Sequence, residues 1–129
     1  MIDTLEIKRK EDTPYVFMDA DEGFIKIKGK SFPSDITGFY TPILEWLERY
    51  KNEGEKELNV NFLLDYFNTA SSKIFLDFFY KLEEIDQLGK KIIINWYYPE
   101  DDDEILDIGE EYEGLVDIEF RHIAYEQEL

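Results

Sequence analysis

Three hydroxyls, an amide and an ammonium crowd into six consecutive positions, Asn68-Thr69-Ala70-Ser71-Ser72-Lys73, directly after Asp65-Tyr66-Phe67. Asn, Thr and Ser accept hydrogen bonds from the unpaired amides of a helix's first turn, so capping explains one of them. The surplus hydroxyls suit a covalent use. A helix start carries partial positive charge and free N–H donors, which stabilise a phosphate ester there, and Lys73 lies about one turn in to neutralise it further. The residue types alone leave cap and modified hydroxyl both open.

Other chemistry finds less support. The chain has one His and no Cys, so a hydrolase using Thr69 or Ser71 must recruit His122 from the far end of the chain as its base. The Ser-x-x-Lys pattern of serine acylases fails, because the residue three before Lys73 is Ala70. Clustered carboxylates at Glu100-Asp101-Asp102-Asp103-Glu104 are hard oxygen ligands for Ca²⁺ or Mg²⁺. They lack the alternate-residue spacing and central glycine of a calcium loop, and acids also favour the positive end of a following helix. No catalytic residue, cofactor or metal ligand is therefore assigned.

The flanking patterns say what positions the cluster. Leu58, Val60, Phe62, Leu64 and Tyr66 recur at period two, with Leu63 and Phe67 on the other side, which predicts a largely buried strand. Ile74, Phe75, Phe78, Phe79, Leu82, Ile85 and Leu88 recur at three and four, the stripe of a helix closed by Gly89. The near-continuous apolar run from Ile92 to Tyr98 reads as a strand buried on both faces, and strand-helix-strand makes a right-handed parallel crossover.

Upstream, Tyr15 to Met18 and Phe24 to Lys28 flank a Gly23-containing turn, a hairpin whose second strand exposes Lys26 and Lys28. Gly29 to Ser34 reads as a loop, and Ser34 or Asp35 caps a helix reaching Tyr50, kinked or split at Pro42 and ended by Gly54. Glu104 to Glu113 predicts a short helix and Val116 to Ile123 a last strand. Leu5 to Lys8 is a weak edge strand; residues 1–13 and 124–129 are expected to fray. The sum is one α/β domain over 1–129: a mixed sheet with a β-hairpin start, parallel βαβ crossovers and helices packed on it. Ligands and partners of such sheets meet the carboxyl ends of the parallel strands, where three loops should gather: Gly29 to Ser34, Asn68 to Ser72 and Pro99 to Asp103. Phe32, Tyr66, Phe67 and Tyr98 are the aromatic candidates there for partner binding.

Composition narrows the partners. With 31 acidic against 14 basic residues the formal charge is −17, which repels nucleic acid and anionic membranes and favours a partner with a basic face. No apolar run approaches the roughly 20 residues of a spanning helix, and the first residues lack signal-peptide character, so a cytoplasmic location is expected.

Tyr66-Phe67-Asn68-Thr69-Ala70-Ser71-Ser72-Lys73 resembles the signature of the SiaC-type regulatory phosphoproteins of bacteria. Thr13-Pro14, Gly29-Lys30-Ser31-Phe32-Pro33, Trp46-Leu47-Glu48-Arg49-Tyr50 and Trp96-Tyr97-Tyr98 follow that family's order and spacing. The resemblance implies a fold like the sulphate-transporter and anti-sigma-antagonist (STAS) domain. It also implies a threonine, here Thr69, phosphorylated by a partner-switching Ser/Thr kinase and cleared by a PP2C-type phosphatase, with Asn68, Ser71 and Lys73 supporting the phosphate. The unmodified protein would bind and activate a diguanylate cyclase. Ala70 stands where a serine is usual, so Ser71 and Ser72 remain alternative acceptors. Two other roles compete: antagonist of an anti-sigma-type kinase, and small Thr/Ser hydrolase.

Overall fold

The computed structural model describes residues 2–55 and 57–126. Six strands form one sheet in sequential order, β1 (Leu5–Ile7), β2 (Tyr15–Asp19), β3 (Phe24–Ser31), β4 (Leu58–Phe67), β5 (Ile92–Pro99) and β6 (Glu119–Tyr125). The first two pairings are antiparallel and the next three parallel. Three helices make the crossovers: α1 (Ile36–Glu53), α2 (Thr69–Gln87) and α3 (Asp103–Leu115). Because each crossover is right-handed and the strand order never reverses, the helices share one face of the sheet. This is the α/β domain with hairpin start and parallel crossovers that the periodicities predict.

The core lies between that face and the helices. Val60, Phe62 and Leu64 of β4 point into it with Ile92, Ile94 and Trp96 of β5, and Phe75, Phe78, Phe79, Leu82 and Ile85 of α2 cover them. Phe62 anchors the packing, its ring 5.2 to 5.8 Å from those of Phe75, Phe78, Phe79 and Trp96. Such aromatic contacts add about 0.5–1.5 kcal/mol per pair beyond the area they bury.

Several local expectations are corrected. The loop expected from Gly29 begins later, because β3 continues through Ser31. The helix expected to split at Pro42 is one helix. Pro42 is exposed, so the carbonyl it cannot satisfy, that of Gly38, also lies on the wet side. Asp35, not Ser34, is the cap, accepting from the Gly38 amide at 3.0 Å. Leu88 falls outside α2 and is exposed; Gly89, at φ 91°, turns the chain away.

Both ends carry paired structure within the described residues. β1 pairs with β2, Thr13 is buried, and the Trp46 indole donates to the Asp3 carbonyl at 3.0 Å. At the other end Ala124 and Tyr125 belong to β6, and the Tyr125 carbonyl accepts from the Glu100 amide. Residues 127–129 lie outside the described residues.

The alternation of β4 also breaks. Gly29 pairs with Leu64 but Lys30 with Tyr66, so Asp65 is an extra residue, a bulge. The bulge inverts the phase: Phe67, not Tyr66, turns toward the helices, where its ring sits 5.4 Å from Phe75 and 6.3 Å from Trp96. Tyr66 is left 52% exposed.

Candidate functional site

All four parallel strands end at the same edge, bringing Ser31, Phe67, Pro99 and Tyr125 to the side where α2 begins. Asn68 is the N-cap of α2, its side-chain oxygen accepting from the Ser71 amide at 2.9 Å. Thr69 is the first helical residue and is exposed. The cap serves the amide of Ser71, so the first-turn amides of Thr69 and Ala70 remain donors, with the positive end of the helix behind them. A phosphate esterified to Thr69 would lie beside both.

The three candidate hydroxyls separate by environment. Ser71 is wholly buried and donates to the Ser31 carbonyl at 2.9 Å, so it is corrected as an alternative acceptor and as a phosphate ligand. With its proton spent there, the 2.8 Å contact between the Ser31 and Ser71 hydroxyls must run from Ser31 to Ser71. The 2.6 Å contact of Ser31 with Tyr40 is then donated by the phenol. Burial pushes the Tyr40 phenol well above the usual tyrosine range. The Ser31 carbonyl also accepts from the Asn68 amide at 3.1 Å. This chain ties α1 and the end of β3 to the first turn of α2, and it fixes Thr69 outward because residues two apart on a helix point to different sides. Ser72 is half-buried and donates to the Thr69 carbonyl at 2.6 Å.

An open groove of about 380 Å³ runs from Thr69 between α2 and α3. Thr69, Lys73 and Leu76 line it from α2, and Ile108, Glu111 and the 55% exposed Leu115 from α3. Tyr112 holds the two helices in register, donating to the Ser72 carbonyl at 2.8 Å. Sequence reasoning missed this groove. Ile108 was legible as an apolar position, but Leu115 falls beyond the helix expected to end at Glu113.

The proposed aromatic anchors divide. Phe32 and Tyr66 are exposed and meet edge to face at 5.8 Å, a paired apolar knob on the same rim. Phe67 and Tyr98 are half-buried and packed against the core, so each offers a partner less surface than Phe32 or Tyr66. Beside the knob, a cleft of about 140 Å³ is lined by Asp65, Asp102 and Glu104 with Ile105 and Ile108, so this side of the rim is acidic.

Two further expectations can be placed. Asp102 caps α3, accepting from the Ile105 amide at 3.1 Å, with Asp103 and Glu104 in the first turn; no three His or acidic side chains converge as a metal site among the described residues. The only histidine, His122, lies 2.9 Å from Glu113 through Nε2, stacks on Phe120 and makes no hydrogen bond to Thr69, Ser71 or Ser72. No helix among the described residues is long and apolar enough to cross a membrane.

Known proteins share this fold. A relative from Pseudomonas aeruginosa strain UCBPP-PA14, itself uncharacterised, is 28% identical over 108 residues, covering 84% of this chain and 86% of its own length. The crystal structure of apo-SiaC from Pseudomonas aeruginosa superposes with a TM-score of 0.87 at 27% identity, over 95% of this chain and 99% of that one. A chain in the crystal structure of the diguanylate cyclase SiaD in complex with its activator SiaC, from the same organism, gives 0.89 at 26% identity, over 94% and 99%. A family model for the SiaC family regulatory phosphoproteins matches residues 7–125. That span holds every strand from β2 to β6 and the whole Asn68 to Lys73 turn, and the chain belongs to the SiaC family of regulatory phosphoproteins.

Proposed function

We propose that this chain is a non-enzymatic, phosphorylation-controlled activator of a diguanylate cyclase. With the Thr69 hydroxyl free, it docks on the cyclase and activates it. A cognate Ser/Thr kinase transfers a phosphoryl group from ATP to the Thr69 oxygen, releasing ADP and the hydroxyl proton, and docking is lost; a PP2C-type phosphatase hydrolyses the ester and restores it. The observation that carries the reading is the sorting of hydroxyls at the start of α2. Ser71 is sealed in the core, Ser72 is turned back onto the backbone, and Thr69 is exposed at the positive end of the helix. SiaC, which this chain resembles over nearly its whole length, is named as the activator of the cyclase SiaD.

Release follows from charge and bulk. A dianion at the mouth of the Thr69 groove places Glu111 and the new phosphate together against whatever docks there, and an apolar partner side chain seated on Leu76 and Ile108 must then desolvate both. In an already acidic protein the local gain from Lys73 and the first-turn amides is small, so repulsion of the partner dominates.

The test combines the full chain, its cognate kinase and ATP, followed by peptide mapping and size-exclusion chromatography with the cyclase. Phosphate is expected on Thr69, with loss of the complex; Thr69→Ala should stay unmodified and keep the complex. A Thr69→Ala protein that still loses the cyclase after kinase treatment overturns the assignment.

A further inference from the structure

The same topology that gathers the helices on one side leaves the other side of the sheet without a helical layer among the described residues. Its chemistry departs from that of the molecule. Lys26, Lys28 and Lys30 project from β3 onto this face, and among the described residues none of them makes a side-chain ion pair or hydrogen bond, in a chain of net charge −17. The acids nearby are already engaged. Tyr15 donates to Glu6 at 2.7 Å, Arg9 meets Asp65 at 3.5 Å, and Glu119 takes both Lys91 at 3.0 Å and Arg121 at 2.6 Å. A row of unpaired cations in a strongly acidic protein thus lies on the sheet face that carries no helix among the described residues.

Beside the cations the floor mixes apolar side chains with the amides of Asn61 and Asn95. In register, Lys26 lies beside Phe17 and Lys28 beside Tyr15 and Leu63, while Tyr97 of β5 and its partner Ile123 of β6 are half-buried on the same side. Lysine stems lie along such surface and hold their ammonium groups at its rim. Below them, Asn95 donates to Asn61 at 3.1 Å and Asn61 to the Ile25 carbonyl at 3.1 Å, so the polar groups of the floor satisfy one another and ask nothing of an incoming chain.

We infer that this bare sheet face is a second docking surface, distinct from the Thr69 edge, and that its occupant is an acidic amphipathic helix of a partner protein. The helix would supply the missing layer that parallel sheets ordinarily carry. Its apolar stripe would cover Leu63 and Tyr97, and its Asp and Glu residues would meet the β3 lysines. A second copy of this chain laid face to face would oppose lysine row to lysine row, which costs affinity. The overall acidity repels phosphate backbones and anionic lipid before either reaches the row.

The experiment installs a photo-crosslinker, Tyr97→p-benzoylphenylalanine, in the full chain in its producing cells and sequences the crosslinked peptides. The expected result is an acidic, helix-forming segment of a partner protein. That segment, synthesised as a peptide, should bind the purified chain and bind Lys26→Glu/Lys28→Glu/Lys30→Glu at least about tenfold more weakly. Thr69→Ala should bind it like the parent, which separates this surface from the switch. Crosslinks to this chain itself, to nucleic acid, to lipid or to a basic or uncharged segment, no crosslink at all, or unchanged binding by the triple variant would each overturn the inference. Because the three lysines are on the surface, circular dichroism of the triple variant establishes that it folds.

Discussion

The hydroxyl oxygens of Ser31 and Ser71 lie 2.8 Å apart in the core, forty positions apart in the chain, and this contact pins the first turn of α2 to the end of β3. Its polarity is fixed, since Ser71 donates onward to the Ser31 carbonyl and Ser31 must therefore donate to Ser71. Ser71→Ala removes the acceptor of the buried Ser31 hydroxyl, leaving it Tyr40 alone, and takes one donor from the Ser31 carbonyl. The expected cost is about 1–3 kcal/mol, read as a lower urea midpoint at unchanged slope. Phosphate incorporation at Thr69 in the folded variant should be unchanged.

Tyr40 closes that chain of hydroxyls, and burial holds its phenol neutral well above the usual range. In the unfolded chain the same phenol ionises near its ordinary value of about 10. The stability it contributes is therefore complete below that pH and is lost as pH rises through the folded-state value. Urea titrations from neutral to strongly alkaline pH should show the decline, and Tyr40→Phe should make it shallower without abolishing it, because burial raises Tyr112 as well. At neutral pH Tyr40→Phe should cost about 1 kcal/mol, the net worth of one buried hydrogen bond.

Residues with a short-range signature were legible before any coordinates. Leu58 to Leu64 alternate because one face of β4 is buried, and Phe75 to Ile85 recur at helical spacing because one side of α2 is; both placed Thr69 at a strand-to-helix turn. What escaped has no local signature. The Asp65 bulge adds a single residue and thereby exchanges the roles of Tyr66 and Phe67, which nothing in Leu64-Asp65-Tyr66-Phe67 announces. The partnership of Ser71 with Ser31 needs two distant segments to meet, so a buried polar tie looked like a spare hydroxyl.

Lys73 stands one turn beyond Thr69, and Glu111 lines the opposite wall of the same groove. A phosphate on Thr69 feels the helix start and Lys73 as stabilising its dianion, and Glu111 as opposing it. Its second ionisation, ordinarily near pH 6, should rise in Lys73→Gln and fall in Glu111→Gln when followed by phosphorus NMR of the phosphorylated proteins. A phosphate whose titration ignores both changes does not sit in the groove.

Pro42 interrupts the hydrogen-bond ladder of an otherwise continuous α1, although Thr41 ties its own turn by donating to the Thr37 carbonyl at 2.6 Å. Its ring is exposed, so substitution disturbs no packing. Pro42→Ala restores the amide for Gly38 and removes the clash of the ring with that carbonyl, a site penalty of up to about 3 kcal/mol in an ideal helix. The midpoint of thermal unfolding should rise.

Gly109 sets how closely α3 approaches the sheet. An added Cβ would collide with Cδ1 of Trp96 and stand 2.5 Å from its Nε1. The indole cannot retreat, because its nitrogen donates to the Ile105 carbonyl at 2.9 Å and its ring packs between Phe62 and Tyr112. Gly109→Ala must therefore lift α3 off β5, at the roughly 1–3 kcal/mol typical of overpacking. Tyr112 rides on the same helix, so the lift also strains its bond to the Ser72 carbonyl and opens the wall of the Thr69 groove. Gly114, five residues on, has nothing within 4 Å of its added Cβ, and Gly114→Ala should gain about 0.5–1 kcal/mol from helix propensity alone. Opposite signs in the two alanine variants by urea unfolding, with cyclase binding weakened only in Gly109→Ala, are the expected pattern. Loss of binding in Gly114→Ala as well would mean that the partner reads the end of α3 directly and not the groove that Gly109 shapes.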